Sequence, residues 1–396
     1  MDFNNVNLLN SRINVLSGNL LPIKADNSQF SVFARVHSAA VWLSQVVYIV
    51  ALYAGMVVTP KEKSIKDGTV AVVISVEAAF MLTNLYSRKK LMREIIQIMN
   101  EILQSADDVM KDITKTALHP IITPFVIYGA TSVLSITVWT GQPVMLALNQ
   151  SDFYYTDYNL PAAFSAEPFS SRVFVSSTII MTVGSVYLFL KKFGVDVYMM
   201  HLVLMLTAQY RYAAVKLTML CNSLQNYDEE SQKEHFRKEN LRVKKELRKI
   251  CHHLRTLLNM SFILKKLLSV NFSLLYVNNV FRFCFVGMLL STVPSLSFSE
   301  AISIISYAMG SVMQFFVLCS SVQTLSDAST KITDQAFDED WYHLEPSMKR
   351  TFMLLIMSNN LECKIAAIGK FNLSLPSFMT IMNQSYSIGL LFLKAS

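Results

Sequence analysis

Seven long apolar runs constrain the fold of this chain more than any other feature. A transmembrane helix needs roughly 20 mainly apolar residues to cross about 30 Å of hydrocarbon. Hydrophobic residues make up 52% of the 396 residues and charged residues 16%, which is too apolar for a soluble domain. We therefore predict an all-α bundle of seven transmembrane helices. The runs are Val36–Val58, Thr69–Tyr86, Ile121–Leu148, Val173 to just past Leu190, Phe272–Leu290, Ala301–Leu325 and Leu375–Leu393.

Apolar periodicity continues past the fourth run, through Met199, Leu206 and Leu220, so the helices of the fourth and fifth spans are expected to extend beyond the membrane. The whole chain, 1–396, is predicted to be one unit. Its segments are an N-terminal part (1–35), spans one to four (36–206), a helical extension (207–271), spans five and six (272–325), a second anchor segment (326–374) and a last helix (375–396).

The distribution of basic residues predicts the orientation. Lys and Arg cluster after the second run and between the fourth and fifth, whereas 149–172 has one Arg and three acidic residues. Because short cytoplasmic loops collect Lys and Arg, the N-terminus is predicted to be cytoplasmic and the C-terminus extracellular, despite Lys61, Lys63 and Lys66 in the first outer loop. This orientation accounts for the net charge of +7 without a nucleic-acid partner. Asn149-Gln150-Ser151 is then a candidate glycosylation site in an outer loop.

The polar residues of the sequence form no recognised enzyme or metal motif. The sequence has no G-x-S-x-G, H-E-x-x-H or phosphate-binding glycine loop, so no catalytic residue and no cofactor are expected. His252-His253 lacks Cys or carboxylate partners at ligand spacing, and no metal site is predicted. Glu77 lies in mid-membrane and is either a packing residue or a pocket group. Asp196 is expected to form an interfacial pair beside Lys191 and Lys192.

The C-terminal third carries motifs that resemble the insect odorant receptor family. They occur in the order Gln314-Phe315, Leu325-Ser326-Asp327, Ala336-Phe337-Asp338-Glu339-Asp340-Trp341-Tyr342, Gly369-Lys370-Phe371, Leu375-Pro376-Ser377-Phe378 and Ser385-Tyr386-Ser387. The chain departs from the family at Ile388, where an aromatic residue is usual, and at Gly389, where related channel subunits often have a bulkier aliphatic.

This resemblance implies a tuning subunit of an odorant-gated, non-selective cation channel in the plasma membrane of olfactory sensory neurons. Such a subunit assembles with a shared odorant co-receptor as a tetramer in membrane lipid and binds a small volatile odorant. A gustatory-type receptor channel is the alternative. Tyr307 and Gln314-Phe315 imitate the closing motif of that family, but they lie in span six, whereas the motif belongs in span seven. A G-protein-coupled receptor is disfavoured by the orientation and by the absence of N-P-x-x-Y and D-R-Y.

The resemblance places the odorant site in the outer halves of spans two, three, four and six. Ser132, Ser135 and Trp139 recur at i, i+3 and i+7 and therefore share one helix face. Trp139 and Tyr307 are the leading candidates, since each is a large ring with one polar group. Ordinary packing between helices is the alternative role. The candidate ligand-binding residues are Val76, Phe80, Ser132, Ser135, Trp139, Met181, Ser185, Ile304, Tyr307 and Ser311.

Two further sites follow from the resemblance. Residues 207–271 and 326–370 are expected to form an intracellular anchor between subunits, with Trp341 and Tyr342 at the interface. Tyr386, Gly389 and Leu393 share one face of the closing helix, and the resemblance places Gly389 and Leu393 on the pore-facing side. An apolar ring of Leu393 side chains would close the pore by excluding water.

Overall fold

A computed structural model describes residues 2–24, 30–148, 150–225, 233–292, 298–338, 346–359, 366–367 and 371–395. The described helices, in chain order, are α1 Phe3–Val6, α2 Leu8–Leu16, α3 Val32–Val58, α4 Lys61–Lys63, α5 Thr69–Ser87, α6 Lys89–Gln104, α7 Asp108–Ala147, α8 Ser171–Gln225, α9 Lys233–Thr292, α10 Phe298–Asp338, α11 Pro346–Asn359 and α12 Leu375–Ala395. A π-helical turn, Ser64–Gly68, joins α4 to α5, and Tyr155–Asp157 is a 3₁₀ turn.

The predicted all-α bundle of seven membrane helices is confirmed. Six helices in the described part of the chain are long and apolar enough to span a membrane: α3, α5, α7, α8, α9 and α10. The seventh predicted run is α12, which has 21 residues. The first span begins at Val32, before the predicted Val36, because Ser31 caps the helix by accepting a hydrogen bond from the backbone N–H of Ala34.

Four helices continue far beyond the length of a membrane span. α7 has 40 residues, α8 has 55, α9 has 60 and α10 has 41. At a rise of 1.5 Å per residue, α8 and α9 are about 80 to 90 Å long, nearly three times the hydrocarbon thickness. The expected extension of the fourth and fifth spans is therefore observed. Their inner ends share one apolar core, in which Leu206, Leu217, Leu257 and Leu264 are buried.

The helix α6 closes this core on the side of the second span. Its buried residues, Met92, Ile95, Ile96, Met99 and Leu103, are three or four positions apart and form one apolar stripe. The opposite face carries charged residues and is exposed. α6 therefore packs its apolar stripe against the core, and it contacts α9.

Two very short antiparallel strand pairs accompany the helices. β1 (Asp152–Phe153) pairs with β2 (Phe169–Ser170), with Asp152 opposite Ser170 and Phe153 opposite Phe169. β3 (Ala366–Ala367) pairs with β4 (Phe371–Asn372), with Ala366 opposite Asn372. The β1–β2 pair organises the loop between α7 and α8, which folds over the predicted outer end of the bundle.

This outer loop packs tightly on α3 and α8. The rings of Phe153 and Phe174 stack with centroids 4.1 Å apart. Gly55 of α3 permits the closest approach, because a Cβ at this position would lie 2.2 Å from the backbone nitrogen of Ala162. The loop is consequently held as a lid directly over the helices that enclose the cavity described next.

Candidate ligand-binding site

A cavity of about 150 Å³ lies in the bundle between α3, α5, α7, α8, α9 and α10. The residues along α7 that line it run from Tyr128 to Thr140, so the cavity extends over about 18 Å of that helix. Thr140, Asp67 of the π-helical turn and Leu160 of the outer loop lie at its predicted outer end. Tyr128, Lys192, Arg282 and Gln314 form its floor.

The wall between these ends is mainly hydrocarbon, with hydroxyl groups at intervals. Ile74, Ile136, Leu188, Phe189 and Ile304 supply aliphatic and aromatic surface. The wall hydroxyls belong to Tyr48, Ser132, Ser135, Thr140, Ser185, Tyr307 and Ser311. An enclosed, largely apolar space with a few polar groups is the usual form of a site for a small organic molecule.

Close contact between α7 and α10 forms one side of the cavity. The hydroxyl of Ser135 donates to the carbonyl oxygen of Ser303 at 3.1 Å. Gly310 allows the two helices to approach, since a Cβ there would lie 3.0 Å from the hydroxyl oxygen of Ser132. Small residues at this crossing therefore position Tyr307 and Ser311 opposite the hydroxyls of α7.

The structure brings seven of the ten candidate ligand residues to this cavity. They are Ser132, Ser135, Trp139, Ser185, Ile304, Tyr307 and Ser311. Met181 lines a smaller neighbouring cavity of about 20 Å³, which shares Trp139 and Thr140 with the larger one.

Val76 and Phe80 do not line the cavity, and their side chains are 56% and 46% exposed. The reason is helical geometry. The lining residues of α5 are Val70, Ala71 and Ile74. Val76 is two positions beyond Ile74 and so points about 200° away, toward the outside of the bundle.

The indole N–H of Trp139, expected as the polar group of a ligand-site residue, binds a backbone oxygen of the protein instead. It donates to the backbone oxygen of Asn159 at 3.2 Å, and the Asn159 amide donates back to the backbone oxygen of Trp139 at 2.6 Å. This reciprocal pair fixes the outer loop to α7. The ring of Trp139 therefore lines the cavity, while its indole N–H binds the outer loop.

A buried ionic network forms the cavity floor. Lys192 Nζ lies 2.7 Å from Glu77 Oε1 and 2.9 Å from Asp196 Oδ1. Arg282 Nη2 lies 2.5 Å from Glu77 Oε2, and the Asn278 amide also donates to Glu77. The four charged side chains are between 1% and 6% exposed. Two cations and two anions make the network neutral, as burial in a bilayer requires.

Gln314 and Tyr128 complete this floor network. Arg282 Nη1 donates to the amide oxygen of Gln314 at 2.6 Å, and the Gln314 amide nitrogen donates to Asp196 Oδ2 at 2.7 Å. The Tyr128 hydroxyl donates to the same Asp196 oxygen at 3.1 Å. The network thus joins α5, α7, α8, α9 and α10, five of the six helices that enclose the cavity.

These contacts resolve the sequence questions about Glu77 and Asp196. Glu77 is an ion-pair residue beneath the cavity and does not itself line it. The expected ion pair at Asp196 forms with Lys192, but it is buried inside the bundle and not interfacial. Lys191 instead lies over the ring of Trp42, with its Nζ 3.6 Å from the centroid.

Arg282 and Gln314 belong to this site although the sequence pattern did not predict them there. Arg282 is the one charged residue of the predicted fifth span, and Glu77 is the one charged residue of the second. Opposite charges isolated in two apolar helices are expected to pair, because either alone would be costly in the bilayer. That complementarity was the signal available in the sequence.

An aromatic cluster connects the floor to the last helix. It consists of Phe283 on α9, Phe315 and Phe316 on α10, and Phe378 on α12. The ring of Phe315 lies 5.8 Å from that of Phe283 and 5.6 Å from that of Phe378. Phe315 directly follows Gln314, so a shift of α10 at the cavity floor would be transmitted to α12 through this aromatic cluster.

The remaining candidate residues are only partly covered by the structure. Asn149, Trp341 and Tyr342 lie outside the described residues. Gly389 and Leu393 fall within α12, but only their helical backbone is described. Tyr386 is 69% exposed on α12.

This chain is similar to one protein-family profile and to solved structures of an insect receptor. A family profile described as "7tm Odorant receptor" matches residues 67–386. The insect olfactory receptor OR5 from Machilis hrabei has a similar structure, with a TM-score of 0.79 at 13% sequence identity over 100% of both chains. The same receptor in complex with eugenol gives a TM-score of 0.80 at 13% identity, again over 100% of both chains. At this identity the likeness to the solved structures establishes the fold.

Proposed function

Because the chain belongs to the 7tm odorant receptor family, we propose that it is a tuning subunit of an odorant-gated, non-selective cation channel. The observation that carries this proposal is the enclosed apolar cavity of about 150 Å³ among six membrane helices. A cavity of that volume accommodates a molecule about the size of benzene, which is the scale of a small volatile compound. The similar receptor OR5 from Machilis hrabei has a structure in complex with eugenol, a small aromatic molecule, which supports the same ligand class for this chain.

The channel proposal also covers assembly and the pore. The subunit assembles with an odorant co-receptor as a tetramer, and residues 326–370, including Trp341 and Tyr342, contribute to the intracellular anchor. α12 lines the pore through Tyr386, Gly389 and Leu393. The exposure of Tyr386 within the single chain supports an open face on α12 that neighbouring subunits or the pore would occupy.

The proposed mechanism connects the cavity to the pore through α10. A ligand among Ile304, Tyr307 and Ser311 would displace α10 relative to α7, where the two helices touch at Gly310. The aromatic cluster then passes the displacement to α12. The orientation, with the cavity toward the outside of the plasma membrane of an olfactory sensory neuron, rests on the distribution of basic residues.

The decisive experiment fills the cavity without altering the surface. Ile304 is 2% exposed and lines the cavity, whereas the adjacent Ile305 is 49% exposed and points away. We expect Ile304→Trp, co-expressed with an insect co-receptor, to lose odorant-evoked current, and Ile305→Trp to keep it at equal surface expression. Equal responses from both variants would show that this cavity is not the ligand site.

Orientation is tested independently by epitope tags at the two ends of the chain. On intact cells a C-terminal tag should bind antibody, and an N-terminal tag should do so only after permeabilisation. The reverse pattern would contradict the channel topology and favour a seven-helix receptor of the G-protein-coupled type.

A further inference from the structure

We propose that the predicted inner end of the bundle has a binding site for the headgroup of a polyphosphorylated inositol lipid. The site lies where the end of α5 and the start of α6 meet α9. Its cations, called the basic patch here, come from two segments that are distant in the sequence. They are Lys89, Lys90 and Arg93 of α6, and Lys265 and Lys266 of α9. The proposal goes beyond the odorant cavity and does not depend on it.

Contacts between α5 and α9 bring the two segments of the basic patch together. Nη1 of Arg88, the residue between α5 and α6, donates to the backbone oxygen of Lys266. Four residues earlier, the side-chain amide of Asn84 donates to Asn271 Oδ1 at 2.7 Å. α5 and α9 are therefore antiparallel neighbours, and α6 begins one residue after the Arg88 contact, at Lys89.

The basic patch lies at the level of lipid headgroups. Glu77 is in the middle of the predicted second span, and Arg88 follows it by eleven residues, a rise of about 16 Å. Half the hydrocarbon thickness is about 15 Å, so Arg88 lies at the predicted inner boundary. Tyrosine is enriched at such boundaries, and Lys89 Nζ lies 4.5 Å from the centroid of the Tyr86 ring.

The charge of the basic patch is not neutralised within the described part of the chain. Residues 84–93 and 256–269 together contain six basic residues and no acidic one. Four of the five side chains in the patch are exposed, and none forms an ion pair with a described residue. Glu94, the next residue along α6, is exposed and offsets one of these charges at most. Such a cluster just below a span attracts the anionic lipids of the inner leaflet.

The convergence of two helices favours a headgroup with several phosphates. Orientation by basic residues requires positive charge in each inner loop, but it does not require the loops to meet. Here the cations of α6 and α9 flank one contact, so a single headgroup can bind both helices. Phosphate oxygens accept strong hydrogen bonds from Lys and Arg. Basic pockets between transmembrane helices on the cytoplasmic side bind phosphorylated inositol headgroups in other proteins.

A second basic stretch of α9 supplies the comparison. Lys245 and Arg248 are also exposed. They precede Phe272, where the fifth span is predicted to begin, by about 36 to 40 Å along the helix. Lys266 precedes Phe272 by about 9 Å. Of these two basic regions, the basic patch is therefore the one within reach of lipid headgroups.

The experiment compares short-chain lipids on the purified receptor in detergent. The dioctanoyl forms of phosphatidylinositol 4,5-bisphosphate, phosphatidylserine and phosphatidylcholine have the same acyl chains and differ in their headgroups. Binding is measured as ligand-dependent thermal stabilisation at known free ligand concentration. We expect the bisphosphate to bind about tenfold or more tightly than phosphatidylserine, because it pairs with more of the basic side chains. Phosphatidylcholine should give no stabilisation at the same concentration.

Two double variants assign the binding to the basic patch. Lys89→Gln with Lys266→Gln removes one cation from each helix and should weaken bisphosphate binding about thirtyfold, as expected for two lysines near a membrane surface. Lys245→Gln with Arg248→Gln is the matched control, because it removes the same charge from exposed positions of α9. The control should bind within about twofold of the unaltered receptor, since charges beyond the Debye length are screened.

Four results would overturn the site. They are absence of stabilisation by the bisphosphate, equal affinity for the bisphosphate and phosphatidylserine, equal weakening in the two double variants, and binding of soluble inositol 1,4,5-trisphosphate as tight as that of the lipid. The last result would assign the patch to a soluble phosphate ligand. All four substituted side chains are exposed, so both double variants should fold. Should one fail, Lys266→Gln and Lys245→Gln alone give the same comparison.

Discussion

Neutralising Glu77 should destabilise the receptor strongly, because Glu77 is the counter-ion of two buried cations. Lys192 and Arg282 lie 2.7 and 2.5 Å from its carboxylate oxygens, and its side chain is 1% exposed. In Glu77→Gln, Asp196 alone would balance two positive charges inside the bundle. Removing one partner of a buried ion pair typically costs about 3–5 kcal/mol.

That cost corresponds to a measurable change in melting temperature. With an unfolding entropy of about 2.1 cal/mol/K per residue over 396 residues, it lowers the melting temperature by about 4–6 °C. Fluorescence-detected size-exclusion chromatography of heated, detergent-purified protein measures the shift. Glu62→Gln is the matched control, since Glu62 is exposed before the π-helical turn.

A charge-balancing double variant tests the electrostatic reasoning directly. Glu77→Gln combined with Arg282→Met removes one charge of each sign and leaves the Lys192–Asp196 pair at 2.9 Å. We expect it to recover most of the lost melting temperature. The reasoning would be refuted if Glu77→Gln melted within 1 °C of the unaltered protein, or if the double variant were less stable than the single one.

Three further outcomes are expected elsewhere in the chain. Gly184→Ala should lower the free energy of unfolding by about 1–3 kcal/mol through overpacking, since the added Cβ would lie 2.5 Å from the buried ring of Tyr48. Gly141→Ala is the control, because Gly141 has open space around it, and this variant should melt at the normal temperature. Burial lowers the pKa of His253 to about 4 from about 6.5 in unfolded chains, so the free energy of unfolding should have its full value above pH 6.5 and fall as the pH is lowered toward 4. A pH profile of unfolding no steeper than that of His253→Gln would contradict this. Phe378→Ala should weaken odorant-evoked current without changing ligand affinity, and a parallel loss of affinity would argue against coupling through the aromatic cluster.

The membrane helices could be predicted from the sequence because the bilayer imposes a simple requirement of length and apolarity. Six of the seven predicted runs lie within helices long and apolar enough to span, and the extension past Leu206 and Leu220 was visible as continued periodicity. Helix boundaries were less accurate where a single cap decides them, as at Ser31.

The N-terminal segment was interpreted only as a polar cytoplasmic stretch, yet much of it is buried. Asn14 donates to the backbone oxygen of Leu21 at 2.8 Å and accepts from its N–H at 2.9 Å. Asn19 donates to the backbone oxygen of Lys191 on α8, and Phe3 packs against His201 with ring centroids 4.4 Å apart. Polar composition alone could not indicate this burial, because these amides replace water with backbone partners that only the tertiary structure provides.

Within the cavity, sequence periodicity located residues on faces but not their hydrogen-bond partners. The i, i+3, i+7 spacing grouped Ser132, Ser135 and Trp139 on one face, and all three line the cavity. The polar group of Trp139 is nevertheless held by Asn159, twenty residues away in the outer loop. A helical pattern contains no information about which loop atom comes to rest on a side chain.

Arg282 stabilises the bundle in two ways, as a counter-ion of Glu77 and as a hydrogen-bond donor to Gln314, and the charge-balancing double variant separates the two. Two of its nitrogens bond Glu77 and Gln314, and these contacts stabilise the bundle. Glu77→Gln with Arg282→Met restores neutrality but removes the Arg282 hydrogen bond to Gln314, so any melting temperature that the double variant fails to recover reports that hydrogen bond and not the charge balance. Full recovery would show that charge balance alone accounts for the stabilising effect of Arg282.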